Sequence, residues 1–175
     1  MVIRKSLLTK SKAKFILVFT VIFFIVINPS LSYSQNNAEP QNTNFQLLQN
    51  KLTKHGFTLK LEIPPYKSKY GIRPYGLIES NNKTIWINPV VFDLGNAEHT
   101  LIHEAVHAAQ LCKGNNERFV LLNLDIEAPK ITHPYFMRYH NYQREIEAEA
   151  YTVQAQNNSF NMVNQLLSTH CSPHQ

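Results

Sequence analysis

The most constraining feature of this chain is an unbroken apolar helix pattern that contains two histidines and a glutamate. Residues 97–111 include no Gly or Pro, and Asn96 is a typical N-cap residue, so a helix is predicted there. Because its surface is apolar on nearly all sides, this helix is expected to be buried. Buried polar side chains need partners, so His103, Glu104 and His107 are costly there unless they bind something.

The spacing of these three side chains predicts a metal site. His103 and His107 are four residues apart, so on a helix both imidazoles face one point, as a tetrahedral zinc ion requires. Glu104 lies beside them, where it can deprotonate a metal-bound water. The sequence therefore predicts a Zn²⁺ site with Glu104 as the catalytic base, provided that another segment supplies a third ligand.

The third ligand is expected on a second helix, at residues 143–156. A catalytic zinc site needs three protein ligands and one open position for water. On this helix Glu145 and Glu149 share one face, and Glu147 points roughly the opposite way. We take Glu145 as the ligand and Glu149 as the acceptor of a ligand histidine's ring N–H, with the reversed assignment and Glu147 left open.

The two motifs together resemble a known family. His-Glu-x-x-His followed by Glu-x-x-Ala-acidic on a later helix is similar to the gluzincin branch of the zincin metalloproteases, over residues 99–110 and 144–156. The family's third zinc ligand falls on Glu145. The resemblance implies an α+β, zincin-like fold, with a small β-sheet or hairpin packed on the active-site helix and on the Glu-bearing helix. Residues 83–88 would form the upper edge of the site and bind an extended peptide by strand addition.

The resemblance also implies a function. It indicates an exported zinc metallopeptidase that hydrolyses peptide bonds with a metal-activated water, with a peptide or protein as its substrate. The side chain that would stabilise the tetrahedral intermediate is not identified, and the candidates are Tyr139, His140, Tyr142 and Tyr151. An alternative is a non-catalytic secreted module whose structural metal has a fourth ligand, such as His140 or Glu149. Hydrolysis of an amide other than a protein's is a third option.

Other ligand sets are weighed against Glu145. A third histidine six residues after His107, as in metzincins, is excluded because Lys113 occupies that position. His133 or His140 could instead supply the third ligand. The glutamates of the second helix could also form a solvated face that pairs with neighbouring arginines, Arg138 or Arg144.

The amino terminus has the layout of a secretory signal peptide. Basic residues precede an apolar run at 15–27, and Ser32 and Ser34 are small residues of the kind that signal peptidases require. We predict cleavage after Ser34 and a secreted or periplasmic protein with no stable membrane association afterwards. The alternative is a retained N-terminal membrane anchor, although a spanning helix needs about 20 apolar residues.

The rest of the chain is expected to form one domain. Residues 1–34 are the signal peptide, the polar residues 35–43 a disordered linker, and residues 44–175 the zincin-like metallopeptidase domain. Five of the 17 Lys and Arg residues lie in the predicted signal, which contains no Asp or Glu, so the remaining basic side chains equal the 12 acidic ones. A neutral domain gives no reason to expect a nucleic-acid partner.

Periodicity and turn residues predict the remaining elements. These are a helix at 44–55 ended by Gly56, a strand at 57–63, a hairpin of strands at 75–79 and 84–87, a short helix or turn within 117–135, and a last helix at 160–167. In an exported protein the pair Cys112 and Cys171 predicts one disulfide, which would tie the histidine-bearing helix to the C-terminal tail.

Overall fold

The structure is a computed structural model that describes residues 43–66, 71, 73–137, 139 and 141–171. These residues form a mixed α+β fold, which confirms the predicted fold class at that level. The predicted signal peptide, its cleavage after Ser34 and the linker up to residue 42 lie outside the described residues and stay predictions. Within the described ranges, no helix is both long enough and apolar enough to span a bilayer.

The elements follow the predicted order closely. In chain order they are α1 (Asn44–Lys54), β1 (Thr58–Lys60), β2 (Gly76–Glu79), β3 (Thr84–Ile87), α2 (Val90–Asp93), α3 (Ala97–Lys113), a 3-10 turn (Lys130–Thr132), α4 (His133–Phe136), α5 (Asn141–Gln154) and α6 (Ser159–His170). The ends of α1 are fixed by local chemistry. At the start, Thr43 and Gln46 form a reciprocal capping box. Just after the end, Gly56 adopts a φ of 82°, which residues other than glycine rarely adopt.

The sheet corrects one prediction. Its order is β1-β3-β2, so β3 is the central strand, parallel to β1 and antiparallel to β2. Residues 83–88 therefore cannot form the edge that the resemblance implied, because the Thr58 N–H donates to Lys83 O (2.9 Å) and β1 covers that side. The predicted strand at 57–63 shortens to β1, and Leu61 and Ile63 lie exposed outside the sheet. The outer strand beside α3 is β2.

Helix α3 is the centre of the hydrophobic core, as its composition predicted. Every residue from 100 to 112 is buried, and Leu101, Ile102, Val106 and Leu111 are 0 % exposed. Helices α1, α5 and α6 and strands β2 and β3 all pack against it. A helix enclosed in this way holds its polar side chains in fixed positions, because close-packed neighbours leave few alternative rotamers.

The predicted disulfide is confirmed. Cys112 in the last turn of α3 is bonded to Cys171, directly after α6, with a Cα–Cα distance of 5.0 Å. The bond closes a large loop, with a sequence separation of 59 residues, that includes all of α4 and α5. A covalent link across so long a loop stabilises the fold mainly by reducing the conformational freedom of the unfolded chain.

Candidate metal centre

Three side chains from two helices converge on one point. His103 and His107 extend from α3, Glu147 extends from α5, and one ligand atom of each lies within 4.8 Å of the others. The two Nε2 atoms are 3.2 Å apart, and Glu147 Oε2 lies 3.3 Å from His103 Nε2 and 3.7 Å from His107 Nε2. With zinc–ligand bonds of about 2.0–2.2 Å, neighbouring ligands of a tetrahedral ion lie about 3.3–3.6 Å apart. The three atoms are thus spaced as a small metal ion requires.

The third member of this group is Glu147, an alternative that the sequence left open, whereas Glu145, the residue favoured there, is not part of the group. Helix α5 packs on α3, and the buried residues Ile146, Ala150 and Val153 form its apolar stripe. At 100° per residue, Glu145 and Glu147 lie on opposite sides of this stripe at similar angles. In the structure Glu147 is part-buried beside the two histidines, whereas Glu145 is exposed. The periodicity of α5 alone does not choose between the two glutamates, and the way α5 packs on α3 does.

Hydrogen bonds at the far ring nitrogens orient both histidines. His103 Nδ1 lies 3.1 Å from Gln154 Oε1, and His107 Nδ1 lies 2.7 Å from Gln110 Oε1. An amide oxygen can only accept, so each ring carries its hydrogen on Nδ1. In the neutral imidazoles this leaves the Nε2 lone pairs directed at the common point, as metal ligation requires.

Gln110 is a residue of the candidate site that was not predicted from the sequence. It is 0 % exposed, and its amide group donates to Ile146 O (3.0 Å) and to Glu149 Oε2 (2.9 Å). These two acceptors fix the amide orientation and leave only its oxygen for His107. The sequence does contain one signal for this role. Gln110 follows His107 by three residues on a helix predicted to be buried, and a buried amide needs hydrogen-bond partners.

Glu149 does not contact a histidine ring as predicted, and it binds Gln110 instead. Gln110, and not Glu149, accepts the ring N–H of His107. The Glu149 carboxylate instead binds the Gln110 amide and accepts hydrogen bonds from the backbone N–H groups of Leu122 (2.8 Å) and Asn123 (2.7 Å). It thereby joins α3, α5 and the loop after α3 in one polar network within the core.

We expect replacement of Gln110 by Ala to weaken metal binding by about 10- to 100-fold, because His107 loses the acceptor that fixes its tautomer and ring orientation. Competition with a chromophoric chelator measures the affinity. The Gln154→Ala variant tests the equivalent contact at His103, and thermal unfolding of each metal-free variant separates metal affinity from folding. Unchanged affinity in a folded Gln110→Ala protein would contradict this role.

The buried His107 and Glu147 shift each other's pKa in opposite directions. Burial lowers the pKa of His107, but the hydrogen bond and charge of Glu147, with the charge of Glu104, outweigh it and raise that pKa to about 9. Burial raises the pKa of Glu147, but hydrogen bonds from His103 and His107 lower it to about 2. Without a bound metal ion, the His107 imidazole is therefore protonated at neutral pH.

Metal binding is therefore expected to release about one proton at pH 7.5, because the ion replaces the proton that His107 holds below about pH 9. Apparent affinity should rise with pH until the raised pKa of His107 is passed, and then level off. Calorimetric titration in buffers of different ionisation enthalpy measures the proton count. A binding heat that is independent of the buffer would contradict the prediction.

Glu104 lies beside the cluster and against β2. It is 5 % exposed, and burial raises the pKa of its carboxyl group, while the nearby His103 and His107 oppose this rise. A raised pKa brings a carboxylate closer to the range in which general bases work at neutral pH. Gly76 of β2 passes so close that a Cβ there would overlap Glu104 Oε1. Glycine at this position therefore leaves room for Glu104.

A cleft of about 1050 Å³ opens above these side chains. Its wall includes Gly76, Leu77 and Ile78 of β2 together with His103, Glu104, His107 and Glu147. Aromatic side chains also contribute to the lining, namely Tyr66, Tyr75, Phe119, Tyr135, Tyr139 and Tyr151. The candidate metal site is thus at the base of a space large enough for a peptide segment.

Of the other residues that the sequence suggested for the site, some line the cleft and others do not. Tyr139 and Tyr151 line the cleft, and the Tyr151 ring contacts the His103 ring at a centroid distance of 4.5 Å. Tyr142 donates its hydroxyl to Phe119 O (3.1 Å) and is not in the cleft lining. His133 packs on Phe136 outside the described metal group. Arg138 and His140 lie outside the described residues.

Comparisons of the chain with protein-family models, with curated proteins and with solved structures find no match. The assignment of a function therefore rests on the geometry and chemistry of the site.

Proposed function

We propose that this protein is an exported, zinc-dependent metallopeptidase with a gluzincin-like ligand set, His103, His107 and Glu147. The convergence of three ligand atoms within 4.8 Å, with both Nδ1 atoms already engaged by glutamine oxygens, carries the proposal. Two imidazoles and one carboxylate form a typical donor set of catalytic zinc, which keeps its fourth position open. The residues present therefore fit zinc, and the arrangement of α3, α5 and β2 supports a zincin-like fold.

In this proposal the roles of the residues follow from their positions. Bound zinc would polarise the scissile carbonyl and acidify a water molecule at the site. Glu104, buried beside the histidines, accepts the proton of the attacking water and later delivers it to the leaving amine. Glu147 and both histidines would hold the ion, and Gln110 and Gln154 hold the imidazole rings in place.

Strand β2 offers the surface on which an extended substrate would bind. Asn88 N donates to Tyr75 O (2.8 Å), so these two residues form a hydrogen-bonded pair. Because such pairs alternate along an antiparallel ladder, Gly76 and Ile78 direct their N–H and C=O groups away from β3. An extended peptide can add to that side and cross above Glu104. This supports a peptide or protein substrate.

The non-catalytic alternative receives less support from the site. A structural zinc ion is held by four protein ligands, whereas the metal-binding group found among the described residues has three members. Glu149, one of the two suggested fourth ligands, is occupied by Gln110 and by the amides of Leu122 and Asn123. His140, the other, lies outside the described residues.

Removal of the metal is expected to abolish hydrolysis. The purified protein should cleave a mixed pool of fluorogenic peptides, lose this activity on treatment with a chelator such as 1,10-phenanthroline, and regain it when stoichiometric zinc is added after the chelator is removed. Hydrolysis that survives complete removal of metal would contradict the proposal. Zinc-loaded protein that cleaves no peptide in a diverse pool would contradict the peptidase assignment.

A further inference from the structure

We propose, resting on the function proposed above, that the cleft selects peptides with a carboxylate close to the cleaved bond and that Arg73 binds this carboxylate. Among the described residues that line the cleft, Arg73 is the sole Lys or Arg side chain. The acidic side chains there are Glu147, which belongs to the candidate metal group, and Glu104, which lies beside it at the same site. The cationic group of Arg73 therefore has no acidic lining residue of its own outside that site.

Arg73 lies near the expected position of the reaction. It precedes Gly76 by three residues, and Gly76 lies directly against Glu104. Three residues of extended chain span at most about 11 Å. An extended substrate advances about 3.3 Å per residue, so Arg73 can reach a group within about three substrate residues of the cleaved bond.

The backbone beside Arg73 is held in place. Arg73 is half-buried, and its Nη1 donates to Pro64 O (2.5 Å). The next two residues are bound to the end of β3, because Asn88 donates through Nδ2 to Pro74 O (3.4 Å) and through its backbone N to Tyr75 O (2.8 Å). A guanidinium has five N–H donors in a planar fork, so one contact to Pro64 leaves others for a carboxylate. Such a restrained arginine loses little side-chain entropy on binding.

The direction of the substrate chain places the carboxylate on one side of the cleaved bond. Antiparallel strand pairing is slightly more stable per residue than parallel pairing. A peptide that adds antiparallel to β2 has its C-terminal side next to the beginning of β2, where Arg73 lies. The carboxylate then comes from an Asp or Glu side chain on that side, or from the free C-terminus of a short peptide.

Binding of defined peptides tests this proposal without any turnover. The zinc-loaded full chain carries Glu104→Gln, and fluorescence polarisation measures its binding to three labelled, N-acetylated alanine octapeptides. The first is neutral and amidated, the second is amidated with one Glu in its C-terminal half, and the third has a free C-terminal carboxylate. At least one carboxylate probe should bind about tenfold more tightly than the neutral probe. The probe that gains identifies the source of the carboxylate.

Variants at position 73 assign the preference to this side chain. Arg73→Gln should bind all three probes equally, Arg73→Lys should keep part of the preference, and the control Arg118→Gln, an exposed arginine outside the cleft lining, should keep all of it. Thermal unfolding and zinc content verify that each variant is folded and loaded.

Three outcomes would overturn the proposal: equal binding of charged and neutral probes by the Arg73 protein, a preference that survives Arg73→Gln, or no binding of any probe. Absence of peptide hydrolysis by the unmodified protein would instead count against the peptidase function. The dependence of probe binding on Arg73 is measured without turnover, so the two failures can be distinguished.

Discussion

Replacement of Glu104 by Gln is expected to lower kcat for peptide hydrolysis by about 10²- to 10⁴-fold while zinc content stays unchanged. Glutamine has the shape of glutamate and fits the space beside Gly76, but its amide cannot accept the proton of an attacking water. The group that could hold the metal does not include Glu104, so the ligand set is intact in this variant. Steady-state kinetics on one fluorogenic peptide, with zinc measured on the same sample, test both halves of the prediction.

A matched control is available for this experiment. Glu117→Gln makes the same chemical change at an exposed glutamate that does not line the cleft, and it should leave kcat unaltered. If the Glu104→Gln protein keeps its rate, Glu104 is not the general base and the proposed mechanism is wrong. Loss of zinc together with rate would instead indicate that Glu104 maintains the metal site.

Replacement of Glu147 by Ala should weaken zinc binding more than the 10- to 100-fold typical for loss of a partner that only supports a ligand, because Glu147 is itself a proposed ligand. The histidines alone retain two contacts to the ion. Glu145→Ala removes an exposed side chain two residues away on the same helix, and its affinity for zinc should equal that of the unmodified protein. Chelator competition on both variants measures the difference, and far-UV circular dichroism verifies that the total helix content is unchanged.

The opposite pattern would contradict the site. If Glu145→Ala loses zinc and Glu147→Ala keeps it, the ligand inferred from the family spacing would be right and the geometry of α5 wrong. Equal affinities in both variants would indicate that neither glutamate is a ligand. A change in helix content in Glu147→Ala would call for Glu147→Gln, which keeps the side-chain shape and weakens the ligand.

The parts of the fold that the sequence predicted depend on local signals. A helix of residues as apolar as Leu101, Ile102 and Val106 has to be buried, and α3 is the centre of the core. The helix spacing of His103 and His107 was sufficient to bring their Nε2 atoms within 3.2 Å. The pairing of Cys112 and Cys171 followed from the expected compartment and from the even number of cysteines.

The parts that the sequence did not predict depend on contacts between distant segments. The central place of β3 results from parallel pairing with β1, and no hairpin signal indicates such a pair. The choice of Glu147 depends on which face of α5 packs on α3. Gln110 is a hydrogen-bond relay only because Ile146 O and Glu149 lie next to it, 36 and 39 residues further along the chain.

We propose that His103, His107 and Glu147 together bind one zinc ion. Anomalous diffraction at the zinc edge, from crystals of the zinc-loaded protein, tests it most directly. A single strong peak is expected about 2.0–2.2 Å from His103 Nε2, His107 Nε2 and a carboxylate oxygen of Glu147, with one position left for a non-protein ligand. Two results would contradict this ligand set. One is the absence of a peak at this cluster, and the other is a zinc ion bound by Glu145 or by a fourth protein side chain.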